Sequence, residues 1–306
     1  MFRKTALGLT LAAGLGPTCS ADDAIELALF RPRIDVLLES RGPREPEDAA
    51  RYTIGSARLA ANVPLGPTHL RPFSSLQGFQ LLAQAQISAG TAEIAPLRRE
   101  HHVYGGGLAI TALLFSKAGH RYLVSVGAGF AEDEETISSL QARPVALGLG
   151  MHRLGERVHL VFGGAFTHVY GRPLAIPLLG AQWQPGPRWK VEGILPVAVH
   201  LSWRSSARLT LRGHLRAAGD RTRWSNDGDF PGEPETLYLR ARGGQATLGA
   251  DWTVSSHLLL LAQAGTDGAR GLTWSDGPRD LLSFEAAPGA TLLVGARVSF
   301  GRSLME

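Results

Sequence analysis

The most restrictive feature of this chain is an alternation of apolar and polar residues with period two that runs through most of its length. In the window 207–217, Leu209, Leu211, Gly213 and Leu215 alternate with Arg208, Thr210, Arg212, His214 and Arg216. Successive side chains of a strand point to opposite faces, so one face of this segment is apolar and the other cationic. Val197, Val199, Leu201 and Trp203 alternate in the same way with His200, Ser202 and Arg204. Tyr122, Val124, Val126, Ala128 and Phe130 repeat the pattern, as do Leu292, Val294, Ala296, Val298 and Phe300. No segment of the body carries a capped stripe of period 3.6, and 44–50 offers at most one Pro-flanked helical turn. The fold class is all-β.

The connections narrow the choice further. Those at 117–119, 155–156, 185–187, 205–206 and 254–256 are short, whereas 132–142, 220–235 and 267–288 are long. Short turns at one end and long loops at the other mark an outer-membrane barrel. Leu195-Pro196-Val197 puts a tight reversal on the long-loop side, because Pro is disfavoured inside a strand. The strands read as 33–40, 51–63, 76–89, 102–116, 121–131, 143–153 and 157–170, followed by 174–184, 188–195, 197–204, 207–219, 236–252, 256–265 and 291–300. The expectation is an antiparallel transmembrane β-barrel of about 14 strands, or 12 if the faint first strand and a neighbour do not span. An even count leaves both termini periplasmic.

The first residues read as a targeting signal. Arg3 and Lys4 precede an apolar stretch, 5–15, which Gly16-Pro17 breaks before the small residues Cys19-Ser20-Ala21. The domain reading is a signal peptide at 1–21 and a barrel at 22–306. A lipid-anchored Cys19 is the less well-fitting register. The only cysteine of the 306 residues leaves with the signal, which excludes disulfides and a thiol nucleophile from the body. Losing Arg3 and Lys4 takes the formal charge from +4 to 4 − 2 = +2, and no basic helix or RNA motif argues for a nucleic-acid partner. No apolar run approaches the ~18 residues of a membrane helix.

Aromatic placement gives an independent check. Trp183, Trp189, Trp203, Trp252 and Phe300 all fall at the short-turn end on outward parity, as an interfacial aromatic girdle would. Core aromatics of a soluble sandwich are the competing account. Gly295, Val298 and Phe300 resemble the C-terminal signal read by the barrel assembly machinery, with Leu293 where a polar residue is usual.

The stretch 176–203, IPLLGAQWQPGPRWKVEGILPVAVHLSW, resembles the centre of an uncharacterised family of bacterial outer-membrane β-barrels, a domain of unknown function. Pro177 to Gly180, the Pro-containing turn before Arg188-Trp189, Leu195-Pro196 and Trp203 follow that family's order, with Trp203 replacing an expected Tyr. The resemblance implies the fold and the compartment, the cell outer membrane, and no activity.

Inward parity gathers Lys190, Glu192, His200, Arg208, Arg212, His214, Arg216, Arg240 and Arg242 as candidate lumen-lining residues, with Asp251 a further acid. Unpaired, these cations would favour anions in a wet pore; paired with acids, they would fill a narrow one. Gly243-Gly244 marks a switch of parity, read either as a bulge that re-aims Arg242 or as a simple Gly-rich bend. The acidic run 132–135 reads as an external loop, solvated or holding divalent cations that bridge lipopolysaccharide, and Asn226-Asp227-Gly228-Asp229 as a tight turn, since it lacks the downstream Glu of a calcium loop. His101-His102 lacks further ligands at zinc spacing, Gly105-Gly106-Gly107 follows no βα unit, and there is no G-x-S-x-G elbow. Catalytic, cofactor and metal residues are accordingly none. The expected partners are outer-membrane lipids, lipopolysaccharide and, during biogenesis, the assembly machinery. The leading function is a narrow passive channel for small anionic or polar solutes, or a structural envelope protein. The alternatives are an outer-membrane enzyme acting on lipid or lipopolysaccharide, with His168 its loose candidate, and a soluble periplasmic β-sandwich.

Overall fold

The computed structural model describes residues 33–43, 52–64, 76–94, 99–116, 120–168, 173–228, 230–268, 270–286 and 288–300. Residues 1–21, where a signal peptide is expected, and the residues beyond Phe300 lie outside the described residues.

Alternation becomes strand throughout. The first eight elements are β1 (Arg33–Pro43), β2 (Tyr52–Pro64), β3 (Leu76–Ile94), β4 (Arg99–Ser116), β5 (Arg121–Asp133), β6 (Arg143–Arg153), β7 (Val158–Thr167) and β8 (Leu174–Gly186). They are followed by β9 (Trp189–Leu195), β10 (Ala198–Arg204), β11 (Leu209–Ser225), β12 (Thr236–Thr253) and β13 (Leu258–Asp267). The hairpin β14 (Arg270–Ser275) and β15 (Asp280–Ala286) precedes β16 (Gly289–Ser299), and a single 3-10 turn lies at Thr136–Ser139. From β1 to β13 each strand pairs with the next; β13 then pairs with β16, and β16 with β1. The ring is closed, antiparallel and 14-stranded, which excludes the sandwich alternative. Closure leaves the ring itself without an edge, the condition for crossing a bilayer with strands.

Ring closure makes one strand face outer and the other inner. The outer face is an apolar band containing Val36, Leu38, Leu108, Ile110, Val124, Val126, Leu179, Leu211, Leu215, Leu248, Leu292 and Val294, all exposed. Leu248 is 75% exposed and Leu108 70%, values that only a lipid environment makes favourable for leucine in such numbers. Where 195–197 reads as a tight reversal, β9 turns directly into β10, with the amide of Val197 donating to the Ile194 carbonyl at 2.8 Å.

Four strands are too long for their span. A tilted crossing takes about 9–11 residues, but β3 and β4 have 19 and 18, and β11 and β12 have 17 and 18. Their far ends rise above the apolar band on the side away from the termini. The hairpin β14–β15, which lies within the long connection 267–288, extends the sheet there by pairing with Tyr238–Arg242 of β12.

Candidate functional site

Two interior regions draw on inward-facing side chains, and a third structure crosses the outer mouth. The first region lies on β9 to β13, β16, β1 and β2, and is charged. On β1 the inner residues Arg33, Asp35, Glu39 and Arg41 are all buried. Arg41 grips Glu39 at 2.6 Å and stands 3.8 Å from Asp267, while Arg216 reaches Glu39 at 3.7 Å and the Gln245 amide oxygen at 2.5 Å. Arg58 of β2 adds a third guanidinium beside Arg216. Arg297 donates to Asp35 at 2.7 Å, with Arg33 at 3.4 Å from the same carboxylate. Arg212 pairs with Asp251 at 2.7 Å and Lys190 with Glu192 at 3.4 Å; His200 and His214, cross-strand neighbours, join through their Nδ1 atoms.

The second region, on β3 to β9, is apolar. Leu82, Leu113, Leu123, Leu147, Leu149, Met151, Val161, Ile176 and Leu178 form one buried cluster. Leu113 is only 1% exposed, so this part of the interior is dry.

The mouth is crossed from the side. The far end of the β11–β12 hairpin leans across the ring and pairs with β5, where Arg223 registers in parallel with Glu132. Glu132 and Asp133 are both 0% exposed. Glu132 forms an ion pair with Arg223, its carboxylate 2.9 Å from Nε, and Asp133 accepts the Ser225 amide at 2.6 Å and the Thr136 amide at 2.8 Å. Arg223 also donates to the carbonyls of Ser139 and Thr136, at 2.7 and 2.9 Å. Trp224 donates its indole N–H to His101 at 3.2 Å. Beneath these polar contacts Val103, Ala131, Trp224, Leu237, Leu239, Ala241, Leu272 and Trp274 form a buried apolar cluster.

Several expectations change. The run at 132–135 begins as the buried end of β5, because Arg223 compensates the charge that burial would otherwise forbid. Gly243-Gly244 is not a bulge: β12 keeps continuous register with β11 from Thr236 to Trp252. Odd-numbered residues stay on the buried face, and only its chemistry changes, from Gln245, Thr247 and Asp251 to Leu237, Leu239 and Ala241 packed in the mouth cluster. Arg240 and Arg242 therefore occupy the opposite face; Arg240 pairs with Asp280 of β15, and Arg242 is exposed. Arg208 is exposed in the β10–β11 turn. Asn226 secures its turn by accepting the Phe230 amide at 2.8 Å, and positive φ falls at Asp227 and Gly228.

The remaining candidates sit as follows. Trp183, Trp189, Trp252 and Phe300 are exposed at the short-turn end, and Trp203, partly buried, stacks on Trp189 at 5.8 Å. Gly295 faces Leu37 of β1, and Val298 registers with Ile34. Sequence reading missed Arg33, Asp35, Glu39, Arg41, Arg58 and Asp267. The alternation of Arg33, Asp35, Leu37, Glu39 and Arg41 is itself the signal that marks most of them.

A family model described as a domain of unknown function (DUF6268) matches residues 103–282. No curated protein matches the chain. Among solved structures, the COG4313 outer membrane channel from Pseudomonas putida F1 is similar at 11% identity and TM-score 0.50, over 89% of this chain and 96% of that one. The TodX monoaromatic hydrocarbon channel, as a deltaS2 mutant, is similar at 10% identity and TM-score 0.46, over 89% and 90% of the two chains. These likenesses concern the fold.

Proposed function

The chain belongs to the DUF6268 family, and from that premise we propose that it is a narrow passive channel for small anionic or polar solutes, shut at its outer mouth in the conformation described. Its compartment is the outer membrane, where a closed 14-stranded ring with an apolar exterior belongs. The solved barrel of like fold from Pseudomonas putida F1 is named a channel, which supports the same reading.

One observation carries the solute class. Arg41, Arg58 and Arg216 meet two carboxylates, Glu39 and Asp267, in the interior. Among the described residues three guanidiniums thus face two carboxylates, and a cationic constriction favours anions over cations. The pairing also limits the preference, because most of the charge is neutralised locally. A structural envelope role is the second reading, favoured by the dry cluster around Leu113. We read the protein as non-enzymatic; His168 sits against Phe166, with Arg143 and Arg221 nearby. Trp183, Trp189, Trp203, Trp252 and Phe300 are read as the periplasmic aromatic girdle.

Planar-bilayer recording of the purified protein tests the channel. Small, mildly anion-preferring conductance is expected, rising when the mouth is unlatched. Silence from both latched and unlatched protein would leave the envelope role.

A further inference from the structure

The lipid-facing wall of β5 to β8 differs from the rest of the apolar band. Outward residues of these strands line up in rows across the sheet. One row is Val126, Ala146, Phe166 and Ala175; the next, toward the short-turn end, is Val124, Gly148, Gly164 and Pro177. Ala146 in the first row and Gly148 and Gly164 in the second leave the middle of this wall low. The result is a groove of about 480 Å³ walled by Val124 and Val126 on one side and by Phe166 and Pro177 on the other. The space over Gly148 is open, for a Cβ added there would meet nothing within 4 Å.

The groove leads toward polar groups on the same outer face. The following row holds Tyr122 and Phe162, the Phe162 ring lying over Gly150. Beyond it His152 packs against Phe162 at 5.1 Å, stacks on His120 at 4.1 Å with an interplanar angle of 15°, and brings Nε2 to 3.2 Å from the Tyr122 hydroxyl. Nδ1 of His120 is buried and has no hydrogen-bond partner among the described residues. This cluster lies one row inside the level of Trp183, whose cross-strand neighbour is Val158 while His152 faces Leu160. It is therefore at the periplasmic interface of the bilayer.

We propose that this wall binds one phospholipid of the periplasmic leaflet, with its phosphate on the imidazoles of His120 and His152 and one acyl chain in the groove. Imidazole N–H groups and a phosphate oxygen are complementary, and an apolar chain fits a groove lined by valine, phenylalanine and small residues. The spacing agrees as well. Four residues of strand from His120 to Val124 span about 14 Å, a distance that a glycerol ester and its first methylenes cover.

The test is native mass spectrometry of the full-length protein in detergent, supplied with palmitoyl-oleoyl-phosphatidylglycerol. One retained lipid per barrel is expected. Gly148→Leu, which fills the groove, and the pair His120→Phe with His152→Phe, which removes the phosphate partners, should each lower occupancy by about fivefold or more. Each variant is first checked for heat-modifiable gel mobility, so that loss of lipid is separated from loss of fold. Dioleoylglycerol, which lacks phosphate, should be retained no better than phosphatidylglycerol is by the histidine variant. Equal occupancy in the parent and both variants, or a barrel dimer that excludes the lipid, would overturn the proposal.

Discussion

Arg223 and Glu132 form an ion pair at 2.9 Å although five strands, β6 to β10, separate their own strands around the ring. Such a contact is possible only because β11 continues beyond the membrane band and its hairpin with β12 leans over the mouth. Glu132 is wholly buried, so its carboxylate depends on this partner. The pair also holds the cap, since the Ser225 amide on Asp133 and the Trp224 indole on His101 lie on the adjoining residues of β11.

Breaking the pair should therefore open the mouth without dissolving the barrel. Arg223→Ala leaves Glu132 as an uncompensated buried charge, a change that costs about 3–5 kcal/mol in comparable sites. The ring hydrogen bonds do not involve this pair, so heat-modifiable mobility should persist. Hydrogen exchange should rise in the far halves of β11 and β12, and conductance should rise with it. The double variant Arg223→Leu with Glu132→Leu should restore much of the protection. Unchanged exchange in the single variant would show that the apolar cluster around Trp224 holds the cap unaided.

The membrane face makes a parity prediction. Leu211 is exposed on the outer face, whereas Thr210 faces Asp251 across the β11–β12 ladder. Leu211→Arg should cost about 2–4 kcal/mol if it lies near the bilayer centre, and Thr210→Arg much less. Urea-driven folding into lipid vesicles measures both. Equal costs would contradict the assigned faces.

Much of this was legible in the residues themselves. Period two and the short and long connections suffice for the ring strands, because inside a bilayer every strand must pair and alternate. The turn at Leu195-Pro196 follows from what proline cannot do. What escaped reading lies above the membrane. There both faces of a strand can be covered by protein, and alternation no longer tells the inner face from the outer one. Arg240 and Arg242 illustrate this. Cationic chemistry suggested the lumen for them, but Leu239 and Ala241 take the buried face because Trp274 and Leu272 of β14 wait there. That hairpin lies within a connection that reads as loop, and its partner residues Val103 and Ala131 come from over a hundred residues earlier. The charged face of β1 was legible but faint, because Arg33, Asp35, Glu39 and Arg41 lower its apolar content and weaken its signal as a strand.

The seam between β1 and β16 is expected to be sensitive to size. A Cβ on Gly295 would lie 2.5 Å from a methyl of Leu37 and 2.6 Å from the Val36 carbonyl oxygen, so the two strands leave no room for a side chain. Gly295→Val should lower the folded, heat-modifiable fraction severalfold by forcing the seam apart. Phe300→Ala, at an exposed position past the end of β16, should slow assembly in cells yet leave the refolded barrel intact in vitro. Equal losses in vitro for both variants would assign Phe300 a packing role instead.

The β14–β15 turn carries a pH dependence. The backbone amide of Arg279 donates to Asp276 at 2.9 Å, and its guanidinium does so at 3.0 Å; these bonds hold the carboxyl below its ordinary value of 3.8. A depressed folded pKa means that the turn gains stability above the unfolded value and loses it as the pH falls through the folded one. Exchange at the Arg279 amide should thus be slow near neutrality and accelerate, relative to the intrinsic rate, only below about pH 4. Asp276→Asn should abolish the acid-dependent part.

The interior charge makes the most direct functional prediction. Arg58 stands beside Arg216 and opposite Glu39 and Asp267 in the only part of the described interior where three guanidiniums meet two carboxylates. Replacing Arg58 by Glu changes that local balance from plus one to minus one. Field strength in a narrow, low-dielectric passage makes such a reversal count for more than the same change at the surface. Arg58→Glu in the unlatched Arg223→Ala background should therefore move reversal potentials from anion to cation preference. Arg242→Glu, on the exposed face of the cap, should leave selectivity unchanged because water and salt screen it. If Arg242→Glu shifts selectivity and Arg58→Glu does not, solutes pass along the cap and not through the ring.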